Sequence, residues 1–413
     1  MRCFENLVSE VNSPALIPNF KQTERRLLSV SMCLLDLSPA VRGHFLDLCG
    51  FRGAKISNCK SLMEVSYKGS KFPEVRPDGL LACKRGATTW SAYIEAKAEK
   101  MQIRPEQIQS YLELAKLTDV DAIITISNEF ARIPSELPYH MDSKKVGSKQ
   151  VLHFAWADIR TVLELAKENL ELETIEVGIL KECLSYFWDE KSGITTYDTM
   201  PEKWPAFVEA SSTALGFNAN VKGLSEVIYG WEQERRDLCS KLTRDAGTPV
   251  EICHLAGIRA SVDERAKVDK TQLATNYTLG TKYFYKQSKL TLELLVDLRA
   301  CRMTAALELP LPADKGAKAL TTWCSKILQD FPEKDALICF DWPGKNSDVS
   351  LSIGAFLTEP TMVSDGKKTP PRGVKILTSR HGVRNFKSRK KFILDIEDMT
   401  LQLAGFAKSQ SWV

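Results

Sequence analysis

The segment DAIITIS, at residues 121–127, constrains the fold more than any other part of the sequence, because apolar residues follow one another in it almost without interruption. Such a run is typical of a strand buried on both faces, as the strands of parallel and mixed sheets are. The preceding segment, RPEQIQSYLELAKLT, has a Pro where a helix would start and an apolar stripe at helical spacing. A buried strand after an amphipathic helix predicts a layered α/β domain.

The neighbouring segments extend this pattern in both directions. Two helices are predicted in FKQTERRLLSVSMCLLDLSPAVRGHFLDLCG, and three short strands in LMEVSYKG, DGLLAC and TTWSAYIEAK. A further strand is predicted in VLHFAW and a further helix in ADIRTVLELAKENL. The predicted core therefore runs helix, three strands, helix, strand.

A turn-rich segment, YFWDEKSGITTYDTMPEKWPAF, separates this core from a second half with a different pattern. We predict two domains, 1–200 and 201–413, the second of α+β class. Its predicted helices lie at 205–214, 223–244 and 315–329, and its predicted strands at 290–297, 301–309, 336–341 and 350–357. The final stretch, KFILDIEDMTLQLAGFA, predicts a strand and a terminal helix.

Composition favours a cytoplasmic protein without a membrane partner. No apolar run approaches the roughly 20 residues that span a bilayer, and the first residues, MRCFENLVSEVNS, lack the pattern of a signal peptide. The cysteines are odd in number, scattered and never spaced C-x-x-C, which argues against a disulfide framework and a zinc ribbon. The histidines show no metal-ligand spacing either.

The segment RPDGLLACKRGATTWSAYIEAKAEK carries the residues that most strongly indicate chemistry. In a strand over AYIEAK, Glu95 and Lys97 point to one face and Ile94 and Ala96 to the other. A hairpin would bring Asp78 opposite the Glu95 end, and two neighbouring carboxylates favour a divalent cation between them. Hard oxygen ligands favour Mg²⁺ or Mn²⁺. Lys97 would then act on the attacking water or on the transition-state charge.

The tripeptide alone is a weak signal, because Asp/Glu-x-Lys occurs at positions 95, 142, 189 and 365. Only the copy at 95 has an apolar strand pattern before it, a Pro-Asp-Gly turn upstream, and a helix and an apolar strand downstream. Simpler interpretations stay open for each residue: Asp78 as a turn residue, and Glu95 and Lys97 as an ion pair on an exposed strand.

In this context the segment resembles the PD-(D/E)XK nuclease superfamily. Pro77-Asp78 matches the PD of the motif and Glu95-Ala96-Lys97 matches (D/E)XK. The predicted order of elements is that of the restriction-endonuclease-like core, and the likeness covers residues 20–160, about a third of the chain. It implies that Asp78 and Glu95 bind metal and that Lys97 is catalytic.

Two further features agree with this resemblance. An acidic residue of the first helix often completes the metal site in the superfamily, and Glu24 lies on the predicted inward face of helix one. Some branches carry Q-x-x-x-Y on the helix after the Lys strand, matched here by Gln107 and Tyr111, one turn apart. The resemblance implies that this pair positions substrate phosphate or Lys97. On its own, Glu24 is also a suitable residue for a helix N-terminus, and Gln107 and Tyr111 could cap and pack.

The function expected from the resemblance is a Mg²⁺- or Mn²⁺-dependent endonuclease that hydrolyses phosphodiester bonds in DNA, with defence or restriction as an analogous role. One alternative is a catalytically silent nucleic-acid-binding or scaffold protein that keeps the nuclease fold. Another is an RNA or repair nuclease, because the same site serves either nucleic acid. Many nucleases of this kind pair subunits to cut both strands, so a homo-oligomer is a further expectation.

A basic tract in the second domain indicates a polyanion partner. Residues 367–391 hold ten Lys and Arg and no Asp or Glu, whereas the rest of the chain is mildly acidic. Phosphate contacts from such residues supply affinity without sequence preference. The competing interpretation is a solvated loop. Phe386, amid the charges, is a candidate for stacking on an unpaired base. The candidate nucleic-acid contacts are Arg384, Lys387, Arg389, Lys390 and Lys391.

Overall fold

The structure is a computed structural model that describes residues 2–413, apart from 8–10, 52–57, 69–73, 132, 140, 142–145, 169–171, 214, 215, 219, 254–261 and 345–347. The chain forms two compact units, Met1–Tyr197 and Asp198–Val413. The predicted division after residue 200 rested on the turn-rich segment in which these two units adjoin. In the described part of the chain, no helix is long and apolar enough to cross a membrane.

The N-terminal unit is a mixed α/β layer structure. Its five strands lie in sequence order in one sheet, with β1, β2 and β3 antiparallel and β3, β4 and β5 parallel. Its elements are α1 (Thr23–Leu37), α2 (Pro39–Leu48), β1 (Asn58–Met63), β2 (Gly79–Arg85), β3 (Thr88–Ala96), α3 (Pro105–Thr118), β4 (Ala122–Ser127), β5 (Gln150–Ala155), α4 (Trp156–Lys167) and α5 (Thr174–Trp188).

The sheet is buried on both faces, as the apolar run predicted. Every residue of β4 is buried. One apolar cluster joins α1, α2, α4 and α5 to one face through residues such as Ile94 and Ile124, and a second joins α3 to the other through Tyr93 and Ile123. Helix α3 begins at Pro105 and ends before Asp119, which has left-handed backbone angles. The coarse prediction of an α/β layered domain is confirmed.

The hairpin register brings the start of β2 to the end of β3. Gly79 pairs with Ile94, so Asp78, the residue before β2, lies across from Glu95. Helix α1 packs closely over this point, because a Cβ on Gly79 would lie 2.7 Å from the sulfur of Met32. A side chain at Gly79 would force Met32 to shift, so the Gly of the Pro-Asp-Gly sequence allows α1 to pack closely where the candidate site begins.

Two details of the N-terminal unit differ from the sequence interpretation. The predicted strand in LMEVSYKG is mostly wrong: β1 ends at Met63, Tyr67 forms only an isolated bridge, and residue 69 lies outside the described residues. The cysteines do not build a framework, but one pair is bonded. Cys59 and Cys83 lie directly opposite each other on β1 and β2 and form a disulfide.

The C-terminal unit is built on one antiparallel sheet with the order β11-β10-β12-β9-β8-β7-β6. Its elements are α6 (Trp204–Ser212), α7 (Leu224–Ala246), β6 (Val250–Cys253), α8 (Val262–Asn276), β7 (Thr278–Tyr285), β8 (Thr291–Asp297), β9 (Arg302–Glu308), α9 (Ala317–Leu328), β10 (Leu337–Asp341), β11 (Val349–Ser352), α10 (Ile353–Thr358), β12 (Gly373–His381), α11 (Val383–Lys387) and α12 (Arg389–Ser409).

Several boundaries in this unit were predicted wrongly. The predicted strand 350–357 holds only the last residues of β11 and then turns into α10, where Ser352 caps the helix. The final segment is one long helix, α12, and not a strand followed by a helix. Strand β12 lies within the basic tract and pairs with β9 and β10, so the interpretation of that tract as a loop is wrong over residues 373–381.

Candidate active site

The Asp78 side chain is fixed at the open end of the hairpin, where β2 begins and β3 ends. Its Oδ2 accepts a hydrogen bond from the backbone N–H of Ala96, at 3.0 Å. Its backbone carbonyl accepts from the N–H of Glu64, at 2.9 Å. This half-buried carboxylate bridges β2 and β3, so it is more than a residue that shapes a turn.

Glu95 is completely buried and fully occupied by partners. One carboxylate oxygen pairs with the Lys97 ammonium, and the other accepts a hydrogen bond from the Tyr111 hydroxyl at 2.5 Å. The predicted ion pair of Glu95 with Lys97 is therefore present, but the prediction that it lies on an exposed strand is wrong. A buried charge of this kind persists only when it is paired and hydrogen-bonded.

Lys97 follows directly after β3 and its backbone is fixed on both sides. Its N–H donates to the carbonyl of Ile126 on β4 at 2.8 Å, and its carbonyl accepts from the indole N–H of Trp156 at 2.7 Å. The side chain itself is 13% exposed, enough for its tip to reach solvent. The sheet thus aims one ammonium group at Glu95 from a rigid anchor.

The Gln107 and Tyr111 side chains form a chain of hydrogen bonds on α3. The amide of Gln107 donates to the Tyr111 hydroxyl at 3.1 Å, and that hydroxyl donates to Glu95. The Arg76 carbonyl lies 3.1 Å from the same hydroxyl. The structure therefore brings the predicted pair to the site, and its contact is with the Glu95 carboxylate and not with Lys97.

The Asp78 carboxyl lies in an environment that disfavours its charged form. Burial and the negative charge of Glu95 raise the pKa of Asp78 to about 7, although the Ala96 N–H and Lys97 favour its charged form. Burial and the charges of Glu95 and Asp78 also raise the pKa of Tyr111, so its hydroxyl remains a proton donor. Two carboxyl groups this close favour a cation between them.

The donor set fits Mg²⁺ or Mn²⁺. Asp78 and Glu95 offer hard carboxylate oxygens on neighbouring strands, and Mg²⁺ is usually held by one or two carboxylates together with water and substrate phosphate. In the part of the chain that the structure describes, no group of three potential ligand side chains is assembled. Asp78 and Glu95 are accordingly the residues that would hold the ion.

Glu24 is not brought to this pair. It lies half-buried in the first turn of α1, on the same helix as the buried Leu27 and Leu28, but its side chain forms no hydrogen bond or ion pair with another described residue. The first turn tolerates a free carboxylate because the helix dipole favours it. Its predicted role as a further ligand remains a prediction.

The basic residues predicted to contact nucleic acid lie on the short helix α11 and in the first turn of α12, and most of them have partners. Lys387 and Lys390 pair with Glu209 and Asp198, each at 3.5 Å, and Lys391 pairs with Asp395. The other two members are Arg389, whose Nε donates to the Met200 carbonyl, and the exposed Arg384. Surface pairs of this kind are weak, so these side chains can exchange partners.

Phe386 does not lie on the surface of this tract. Its side chain is 1% exposed and packs against Trp204 and Phe392. The indole N–H of Trp204 donates to the carbonyl of Phe386 at 2.9 Å. The hypothesis that Phe386 stacks on a base is therefore wrong, because this ring belongs to the core.

Sequence reasoning missed a polar row beside Glu95. Thr125 pairs with Glu95 across β3 and β4, and His153 pairs with Thr125 across β4 and β5. The His153 Nε2–H donates to the Glu129 carbonyl at 2.8 Å, so Nδ1 accepts from the Thr125 hydroxyl at 2.8 Å. Burial lowers the pKa of His153 to about 4, which keeps it neutral.

Glu64 was missed as well. It follows β1 and is buried against Arg25 and Asn12, with Arg76 close by. Its only sequence signal was a charged residue inside an otherwise apolar segment.

Comparison of the chain with protein-family models, curated proteins and solved structures finds no match.

Proposed function

We propose that the protein is a metal-dependent endonuclease that hydrolyses phosphodiester bonds in DNA. The observation that carries the proposal is the meeting of Asp78, Glu95 and Lys97 at one point, two carboxylates and one amine held by adjacent strands. The match of these residues to the PD-(D/E)XK pattern supports the same activity. A cytoplasmic role in defence or restriction belongs to the proposal by analogy.

Each side chain has a distinct task in the proposed reaction. Asp78 and Glu95 hold Mg²⁺ or Mn²⁺, which when bound lowers the pKa of a water and offsets negative charge on the phosphate. Lys97, with its tip near solvent and its backbone fixed, orients the attacking water or stabilises the charge that develops on the phosphate. Tyr111 orients the Glu95 carboxylate, and Gln107 orients Tyr111.

The test is a cleavage assay on supercoiled plasmid, linear DNA and RNA with Mg²⁺, Mn²⁺ or EDTA. Wild-type protein is expected to cut DNA with either metal and not with EDTA. Asp78→Ala and Lys97→Ala are expected to lower the rate by about 10²–10⁴-fold, the range for loss of a group acting on a proton or developing charge.

The matched control for Lys97→Ala is Lys84→Ala, an exposed lysine on β2, which should cut like wild type. DNA binding without cleavage in either metal would contradict the proposal and favour a silent binding or scaffold protein. Cleavage of RNA but not of DNA would show that the substrate is RNA.

A further inference from the structure

A second charged group lies beside Asp78, on the chain that follows β1. The N–H of Glu64 donates to the Asp78 carbonyl at 2.9 Å, and the N–H of Val65 donates to the Pro77 carbonyl at 3.0 Å. These bonds tie residues 64–65 to the segment that carries the candidate metal ligand. Any side chain anchored on Glu64 is thereby held next to the candidate site.

Glu64 is a buried carboxylate that orients its neighbours. Its side chain is 10% exposed. One carboxylate oxygen pairs with the guanidinium of Arg25 at 2.7 Å, and the other accepts a hydrogen bond from the amide of Asn12 at 2.7 Å. Arg76 is held differently: its Nε donates to the Glu64 backbone carbonyl at 3.1 Å, and its NH2 group lies 3.8 Å from the carboxylate.

Arg25 lies closest to the Glu64 carboxylate, at 2.7 Å, and Arg76 lies farther away, at 3.8 Å. Both guanidinium groups keep a surface that faces solvent. The side chains of Arg25 and Arg76 are 32% and 51% exposed, and a guanidinium has five N–H donors. Most of these donors remain free to bind an anion from solvent.

Among the residues that the structure describes, the Asp78–Glu95 pocket has no cation free to bind substrate. Lys97 is engaged by Glu95, and the pair of carboxylates there repels a phosphodiester. Arg25 follows Glu24 on α1, and Arg76 directly precedes Pro77-Asp78, with its carbonyl within 3.1 Å of the Tyr111 hydroxyl. Two guanidinium groups at this place supply positive charge for the substrate, and the paired N–H donors of each match the oxygens of a phosphate.

We propose that Arg25 and Arg76, oriented by Glu64, form a clamp that binds a backbone phosphate of the DNA strand beside the Asp78–Glu95 pocket. The inference rests on the proposed function, since it names the group of that substrate which these residues hold. Arg25 and Arg76 are positioning residues: they bind a phosphate that does not react, and so set where the strand lies.

The experiment measures binding of the full chain to a short fluorescein-labelled DNA duplex in EDTA, by fluorescence anisotropy over a series of KCl concentrations. Arg25→Gln and Arg76→Gln are each expected to weaken binding about tenfold, the loss expected of a charge-assisted hydrogen bond. Each should also lower the slope of log Kd against log salt by about 0.9, the value for one phosphate contact.

Arg85→Gln is the matched control. Arg85 ends β2 at the side remote from Asp78, where it stacks over Phe51, so its loss should leave affinity and salt slope near wild type. Arg25→Lys and Arg76→Lys keep the positive charge but lose the paired N–H donors of the guanidinium. They should retain the salt slope while losing part of the affinity, and they provide the test if a Gln variant fails to fold.

The outcomes separate this inference from the proposed nuclease activity. Loss of affinity and slope in the Gln variants supports the clamp, even if wild type fails to cut DNA in Mg²⁺. Unchanged binding in both Gln variants overturns the clamp, even if wild type cuts. Equal losses in Arg85→Gln, or a wild-type protein that does not bind the duplex, overturn it as well.

Discussion

Both units bury several carboxylates around one lysine, and the two groups differ in how they are enclosed. In the N-terminal unit, Asp78 and Glu95 meet Lys97 where two strands end, and Asp78 is only half-buried. In the C-terminal unit, Lys241 on α7 pairs with Asp237 at 2.9 Å and with Glu397 of α12 at 2.5 Å. The two lysines are similarly exposed, at 13% and 17%, but the second group also encloses Glu234, a carboxylate with no exposed surface.

Glu234 shows the consequence of that enclosure. It lies on α7 one turn before Asp237, has no exposed surface, and neither of its carboxylate oxygens accepts a hydrogen bond in the structure. Burial, followed by the charges of Glu397 and Asp237, raises its pKa well above the ordinary value. Glu95, by contrast, is equally buried but is paired with Lys97 and hydrogen-bonded to Tyr111. The two groups therefore differ in whether the fully buried carboxyl has partners.

The largest expected difference between the two units is the effect on DNA cleavage of removing one buried tyrosine hydroxyl from each. Tyr111→Phe should lower DNA cleavage by about 10–100-fold, the usual loss when a residue that orients a metal-binding carboxylate is removed. Tyr283→Phe is the matched change in the C-terminal unit. The Tyr283 hydroxyl donates to the Arg235 carbonyl, at 3.3 Å, so this variant should cut normally and lose about 1 kcal/mol of stability.

Rates would be measured per folded protein, with the folded fraction taken from circular dichroism. Equal rates for the two variants would show that the contact of Tyr111 with Glu95 does not matter to the reaction.

The next effect concerns Mg²⁺ and stability. At about 100 times its Kd, Mg²⁺ should raise the free energy of unfolding of the N-terminal unit by about 2.7 kcal/mol. The gain should shrink below pH 7, because the ion must displace the proton that the raised pKa of Asp78 retains.

Thermal denaturation with and without Mg²⁺, at pH 6 and pH 8, measures this. Asp78→Asn is the control and should show no gain at either pH. A gain of equal size in Asp78→Asn would place the ion elsewhere in the protein.

The smallest effect concerns Glu234. Because its pKa is raised in the folded state, the folded protein binds more protons than the unfolded chain above the ordinary pKa of 4.5. Stability therefore falls as pH rises from that value. Glu234→Gln should be more stable than wild type near neutral pH, with the difference vanishing below about pH 4. Denaturant unfolding at several pH values tests this, and a wild type that gains stability on going from pH 5 to pH 7, relative to the variant, would contradict it.

Much of the candidate site was predictable because strand alternation and helical spacing are local rules. Alternation placed Glu95 and Lys97 on one face, the Pro-Asp-Gly sequence placed Asp78 at a hairpin, and spacing put Gln107 and Tyr111 on one side of α3. The contact of Tyr111 with Glu95 was not predictable, because it depends on how α3 packs over the sheet. Glu24 illustrates the same limit, since facing inward along a helix does not bring a side chain to a particular partner.

The C-terminal unit was harder to predict. Strand β12 carries Lys375 and Arg380, which pair with Glu293 and Glu333, so its sequence resembles a basic loop although it lies within the sheet. Phe386 lies among charges in the sequence and inside the core in the structure. In both places the long-range partner decides the environment of the residue, and such partners leave no periodic signal.

The sequence alone determined the α/β class of the first unit, the position of its hairpin and the identity of the residues that meet there, because each follows from short-range sterics and from burial of apolar runs. Only the tertiary structure decided which charges face one another. It placed Asp78 beside Glu95, brought Arg25 and Arg76 to Glu64, and buried Glu234 completely. Electrostatic energies depend on distance and burial, and both are set by contacts between residues far apart in the chain.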